Sequence, residues 1–235
     1  MLACLNPPLL CDSEIVNLAE TLWGDNVDLA QTCLDHPFVR GIGNGQLLLP
    51  SFRFYVAQDA YFLEAFARAY AFALARSPDR HGIQAFHALI AGVLQELRLH
   101  ATYAARWDVD LARVQPAEAT LAYASFLLTI AETATVGEIC AAMTPCMRLY
   151  AFVGQSLASS ETLGGPANPF REWIDTYASD EFDALASTLE VLLIRYAEYT
   201  PAVRAAYRRA MQLELDFFSA AYASSASRSS SGVGC

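Results

Sequence analysis

The segment Glu138-Ile-Cys-Ala-Ala-Met-Thr-Pro-Cys-Met-Arg-Leu-Tyr-Ala-Phe-Val-Gly154 decides the fold of this chain. Its small and apolar residues read as a helix, yet Pro145 sits inside it, directly before Cys146. A proline removes one backbone donor and its ring clashes with the preceding turn, so the helix is expected to bend or break there. Such a kink would turn the Cys146 thiol out of an otherwise buried ladder. Two readings compete: a packing kink beside a small buried cysteine, and a nucleophile that the kink presents. The second needs partners from elsewhere in the chain. Tyr150 is one candidate, because it follows Cys146 by four residues and projects from the same helical face.

Outward from this segment the pattern stays helical. Thr135-Val-Gly-Glu138 has the form of a capping box and starts the helix. Pro116 opens the preceding helix, through about Glu132, carrying Tyr123 and Phe126. Asp79 caps a helix to about Arg106, on which Glu96 and His100 lie one turn apart and are expected to pair with each other. Pro50 stands where a helix begins, its missing donor harmless there, and the apolar spacing runs on to Arg76. Ser13 is expected to cap a first helix through Leu34, interrupted at Gly24 and ended by His36-Pro37, with a flexible turn at Gly41 to Gly45. On the C-terminal side, Ser159 to Ala167 reads as a loop and Asn168-Pro169 starts a short helix with Trp173 and Tyr177. Ser179 or Asp180 starts another, and Thr200-Pro201 opens the last, which reaches about Tyr222. The sum is one all-α domain over 12–222 with seven or eight helices, an N-terminal arm over 1–11 and a disordered Ser/Gly-rich tail over 223–235.

The composition agrees. Apolar residues make up 54 % of the 235 and charged ones 17 %, enough for one sizeable core. No run of 18 uncharged apolar residues occurs, so no membrane span is expected. The start lacks a basic segment ahead of its short apolar run and is a poor signal peptide, so a reducing, cytoplasmic setting is the default. Six cysteines (4, 11, 33, 140, 146 and 235) show no Cys-x-x-Cys spacing, against a zinc site or a redox pair. A net charge of −10, with only short basic clusters, argues against nucleic-acid binding. No histidine has a glutamate three residues before it, as di-iron helical bundles require.

Two acids stand out for their surroundings. Asp59 interrupts the aromatic face formed by Phe52, Tyr55, Phe62, Phe66 and Tyr70, which is costly without a partner or ligand. Glu214 is followed at three and four residues by Phe217 and Phe218. A structural aspartate and an exposed glutamate are the bland alternatives. A pocket of Asp59, Tyr123, Cys146, Tyr150, Tyr177 and Glu214 would suit a flat, basic heteroaromatic ligand. Its rings would stack, a carboxylate would take a ring nitrogen or amino group, and a thiolate could add to an electron-poor carbon.

The chain resembles the TenA/thiaminase II family of heme-oxygenase-like helical proteins. The resemblance lies in His36-Pro-Phe-Val-Arg-Gly-Ile-Gly-Asn-Gly, Phe54-Tyr-Val-Ala-Gln-Asp59-Ala-Tyr-Phe-Leu, Thr144-Pro-Cys146-Met-Arg-Leu-Tyr150, Trp173-Ile-Asp-Thr-Tyr177 and Glu214-Leu-Asp-Phe-Phe. It covers roughly residues 12–222 and matches the branch that carries a cysteine. It implies hydrolysis of 4-amino-5-aminomethyl-2-methylpyrimidine, or of thiamin, to the hydroxymethylpyrimidine in thiamin salvage. Carried over by position, Cys146 is the nucleophile and Glu214 the acid/base. Asp59 holds the aminopyrimidine edge, and Tyr123, Tyr150, Tyr177, Phe62 and Phe217 line the pocket. The family also implies a homotetramer and no metal or organic cofactor. One position departs: Phe62 stands where this branch often has a tyrosine, keeping the ring but losing a hydroxyl. Rival expectations are a pyrimidine-binding protein of weak activity, a regulatory interaction protein and a heme-oxygenase-like redox enzyme.

Overall fold

Prolines and polar caps cut the chain into ten α-helices in a computed structural model that describes residues 17–160 and 167–224. They are α1 (Leu18–Gly24), α2 (Val27–Leu34), α3 (Pro37–Gly43), α4 (Leu49–Arg76), α5 (Arg80–Arg106), α6 (Glu118–Thr133), α7 (Val136–Ala158), α8 (Arg171–Tyr177), α9 (Asp180–Tyr196) and α10 (Pro201–Ala223). Among the described residues there is no strand, as expected for the all-α class. The expected N-terminal arm, the Ser13 cap, the Glu161–Pro166 part of the loop and the tail beyond Ser224 lie outside the described residues.

The count of ten corrects the expected seven or eight. The first helix is two, because Asn26 donates from its side chain to the Leu22 carbonyl at 2.8 Å, closing α1, and then heads α2. The third is α3, which sequence reading took for a helix end and a flexible turn. His36 does end α2, but its Nδ1 also accepts from the Phe38 amide at 3.1 Å, and Pro37 pre-sets the first helical φ. One dipeptide therefore stops one helix and starts the next.

Elsewhere the local signals hold. Asp79 accepts from the Gly82 amide at 2.9 Å at the head of α5. The Thr135–Glu138 capping box is complete, with both reciprocal bonds. Ser179 caps α9 and Thr200 caps α10. These signals sit within one turn of the helix end they satisfy, which is why they are readable locally.

The bundle is built round α7, which packs against α2, α4, α6, α8, α9 and α10. Sixteen of its 23 residues are buried, as befits a helix apolar on all sides. By length and composition α7 could cross a membrane, yet 72 % of its apolar window lies inside the bundle. Its hydropathy is that of a central core helix. The expected break at Pro145 does not occur, and α7 runs through it as one helix. Proline leaves the Ala141 carbonyl without its i+4 amide, while next to it Thr144 donates its hydroxyl to the Cys140 carbonyl at 2.7 Å. Packing on every side holds the helical path. Arg148 then ties α7 to α9 through Glu190 at 2.6 Å and Asp183 at 2.8 Å.

Gly154 lets α8 approach α7. A Cβ there would lie 2.5 Å from the Tyr177 carbonyl carbon and 2.7 Å from the Ala178 nitrogen, both backbone atoms. The other end of α8 is held by Asn168, which donates to the Ile42 and Gly43 carbonyls at 2.9 and 3.0 Å and so closes α3. The short helix carrying Trp173 and Tyr177 is thereby fixed against both neighbours.

Candidate active site

Polar groups, buried except for the half-buried Glu96, converge among aromatic rings from six helices. Asp59 comes from α4, Glu96 and His100 from α5, Tyr123 from α6, Cys146 and Tyr150 from α7, Tyr177 from α8, and Glu214 from α10. Asp59, Glu96, Cys146, Tyr150 and Tyr177, with Leu63, Phe66, Met147 and Phe182, line one enclosed cavity. Its interior leaves about 10 Å³ for the centre of a water molecule, which is about the least that one water needs.

Cys146 is buried, at 9 % exposure, and its thiol is not turned out of the core as the kink suggested. It faces the cavity and hydrogen-bonds to Glu214. Glu214, 1 % exposed, also accepts from the Tyr123 hydroxyl at 2.7 Å. Burial pushes the Glu214 carboxyl up to about 8, partly offset by the Tyr123 and Cys146 hydrogen bonds and reinforced by the charge of Asp59. Burial also raises the Cys146 thiol well above its usual value, and the negative charges of Glu214, Glu96 and Asp59 raise it further. Around neutral pH this pair holds its protons, so the resting site contains no preformed thiolate.

Asp59 answers the question its aromatic surroundings posed. His100 Nε2 lies 2.6 Å from its Oδ2, and both side chains are almost wholly buried. Burial alone would lower His100, but the charge of Asp59 and its hydrogen bond outweigh that and raise it. With Nδ1 3.2 Å from the Glu96 carbonyl, a cationic ring donates at both nitrogens. Glu96 itself turns the other way and accepts from the Tyr177 hydroxyl at 2.5 Å. Burial, and then the charge of Asp59, lifts Glu96 to about 7, with His100 and Tyr177 opposing. The expected Glu96–His100 side-chain pair is therefore corrected: each side chain reaches a different helix. Among the described residues, no group of three or more His, Cys, Asp and Glu side chains is disposed to hold a metal ion.

Aromatic rings close the site. Phe62 packs at a tilt against Tyr123, with ring centroids 4.5 Å apart, and lies 6.0 Å from Phe217. Tyr150 and Tyr177 meet edge to face at 4.8 Å. Behind them Trp173 donates to the Tyr55 hydroxyl at 3.3 Å, which lies 3.5 Å from the Tyr150 hydroxyl. All eight residues singled out from sequence (Cys146, Glu214, Asp59, Tyr123, Tyr150, Tyr177, Phe62 and Phe217) thus belong to one cluster. Sequence reasoning missed Glu96 and His100 as members, and Tyr55 and Trp173 as the layer behind. The signal for His100 was available: a carboxylate on the apolar face of one long helix needs a partner, and the next helix offers an internal histidine.

An all-helical bundle with an enclosed thiol–carboxylate pocket defines the class. The same fold is seen in heme oxygenase-1 from the cyanobacterium Synechocystis, with a TM-score of 0.57 and 19 % identity over 87 % of this chain and 92 % of that one. The chain belongs to the TENA/THI-4/PQQC family, whose model matches residues 25–224. It is 34 % identical over 183 residues to an aminopyrimidine aminohydrolase of Halalkalibacterium halodurans, covering 76 % of this chain and 81 % of that protein. It is 35 % identical over 208 residues to the mitochondrial bifunctional TH2 protein of Arabidopsis thaliana, covering 78 % of this chain. The chain spans about a third (34 %) of that relative's length. Among solved structures, the TenA homologue of P. horikoshii superposes with a TM-score of 0.81 at 23 % identity, over 89 % of this chain and 100 % of that one.

Proposed function

We propose that this protein is an aminopyrimidine aminohydrolase of thiamin salvage, releasing ammonia from 4-amino-5-aminomethyl-2-methylpyrimidine or cleaving thiamin at the same methylene. The observation that carries this reading is Cys146, paired with Glu214 behind it, on the wall of a cavity that Asp59 also lines. Relatives named aminopyrimidine aminohydrolase, at 32–34 % identity, support the substrate class.

The protonation states support a cycle in which one carboxyl serves twice. Asp59, backed by His100, takes the amino edge of the ring. Protonated Glu214 gives its proton to a ring nitrogen and accepts the thiol proton as Sγ bonds to the adjacent ring carbon. The net change is addition of S–H across one C=N bond, with no free thiolate needed beforehand. Electrons released from the ring break the exocyclic C–N bond, and the amine leaves. Water adds to the methylene so formed, Sγ departs from the ring and recovers its proton. Amine and water thus become alcohol and ammonia. Tyr123 holds Glu214, while Tyr150, Tyr177, Phe62 and Phe217 wall the ring. Lacking a hydroxyl at Phe62, the site relies on the tilted Phe62–Tyr123 contact to hold this wall in place. We also assign the family's homotetramer and a cytoplasmic location to this protein as parts of the same proposal.

The test is ammonia release from the aminomethylpyrimidine, and thiazole release from thiamin, by the wild type and Cys146→Ala. Turnover by the wild type lost in the variant is expected. A wild-type rate retained without the thiol would sink the nucleophile assignment, and binding without turnover would leave a pyrimidine-binding protein.

A further inference from the structure

Beside the closed cavity runs an outer groove of about 750 Å³ between α5, α8 and α9, whose lining includes Gly92, three acids (Glu172, Asp175 and Glu181) and Arg171. Two residues line both spaces: Glu96 and Phe182. We propose that Glu96, at the neck joining cavity and groove, binds the positive charge of the substrate's leaving group, with Phe182 the side chain that moves aside to admit it. The inference rests on the aminopyrimidine reading and adds to it a residue that sets leaving-group specificity.

The geometry carries it in three steps. The inner cavity is too small for a substituted pyrimidine, so a wall must move, and the two shared residues form the wall between it and the large groove. Phe182, 8 % exposed, stands there edge-on to Tyr177 at 4.9 Å. It lies in the first turn of α9, where the Ser179 cap holds its amide, so a change of side-chain rotamer would move the ring without moving the helix.

Charge is the second step. Glu172 and Asp175 are engaged by Arg106 and Arg171 at 2.8 Å. Glu96 has a neutral phenol, Tyr177, as its hydrogen-bond donor. The cation acting on it is His100, which Asp59 already engages. A further cation at the neck would complete Glu96, a half-buried carboxylate whose hydrogen-bond donor is neutral.

Position is the third. Asp59 and the Cys146–Glu214 pair hold the ring inside, so the substituent being expelled points towards the mouth. An aminomethyl ammonium and a thiazolium are both cationic, whereas the hydroxymethyl product is neutral. Glu96 would therefore hold substrates and release product, and the acidic groove would accommodate the bulkier thiazolium.

Calorimetry with thiamin, the aminomethylpyrimidine and the hydroxymethylpyrimidine tests this on the full chain. Glu96→Gln keeps an acceptor for Tyr177 and removes the charge. It is expected to weaken the aminomethyl ammonium ligand by about 10- to 100-fold, the range for a charge-assisted hydrogen bond, and thiamin, whose quaternary thiazolium offers charge but no N–H, by about 3- to 10-fold. The neutral product should change less than about threefold on the same scale. Phe182→Ala should speed thiamin association in stopped flow more than that of the product. Equal losses for all three ligands, or none, would overturn the inference while leaving the aminopyrimidine reading intact. A wild type that binds none of them overturns both. In the wild type alone, affinities for cationic and neutral ligands that are equal also refute the role of Glu96, whatever the folding of the variant.

Discussion

Replacing Glu214 with glutamine is expected to stabilise the protein at alkaline pH while abolishing turnover. The carboxyl is 1 % exposed, its partners are two neutral donors, and the neighbouring charge acting on it, that of Asp59, has the same sign. The folded protein holds this proton up to about pH 8, whereas the usual glutamate value in an unfolded chain is 4.5. A raised folded value means the stabilisation is complete below the unfolded value and is lost as pH rises towards the folded one. From pH 6 to pH 9 the unfolded chain is already deprotonated, and the folded one ionises only near the end. About two pH units of proton binding are therefore forgone, at about 1.4 kcal/mol each, or about 3 kcal/mol in total. Glutamine does not titrate, so the stability difference between variant and wild type should grow by about that amount over the interval. Other titrating groups are common to both proteins and largely cancel. Urea denaturation of the pair at pH 6, 7, 8 and 9 measures it. A difference that stays flat, or shrinks with rising pH, would refute the account of Glu214 as a buried, proton-holding acid.

Three further outcomes follow from neighbouring contacts. His100→Ala strands Asp59 in the core, and loss of one member of such a buried pair should cost about 3–5 kcal/mol in chemical denaturation; a loss below about 1 kcal/mol would mean that water or another group replaces the ring. Gly154→Ala places a methyl against the Tyr177 and Ala178 backbone, which cannot rotate away, so a loss of about 1–3 kcal/mol in the same assay is expected, together with weaker product binding as Tyr177 shifts. Alkylation of Cys146 by iodoacetamide, followed at that residue by mass spectrometry, should be slow at pH 7 and still climbing at pH 9; a plateau near neutrality would mean a preformed thiolate and a different first step.

Helix ends were legible because their causes are local. Asp79, Thr135 and Thr200 each satisfy an amide within three residues, and no distant contact is needed to recognise them. The early division into α1, α2 and α3 was not, because Asn26 and His36 each serve two helices at once. Cys146 with Tyr150, and Glu214 with Phe217, could be paired by helical spacing, while grouping all eight site residues needed the family resemblance as well. Spacing failed for Glu96 and His100. They do share one turn, but side chains on a helix choose partners across the bundle when burial makes an unmatched charge expensive.

The amino-acid sequence determined the helical class and most helix ends, and it pointed to eight candidate site residues, since periodicity, caps and motifs are written in short stretches. Tertiary packing decided the rest: that α7 passes unbroken through Pro145, that the thiol stays inside with its proton, and that the Glu96 side chain meets Tyr177 rather than His100. Those outcomes depend on how many neighbours surround a group and which helix faces it. Both are fixed only when α4, α5, α7, α8 and α10 close on one another and exclude water.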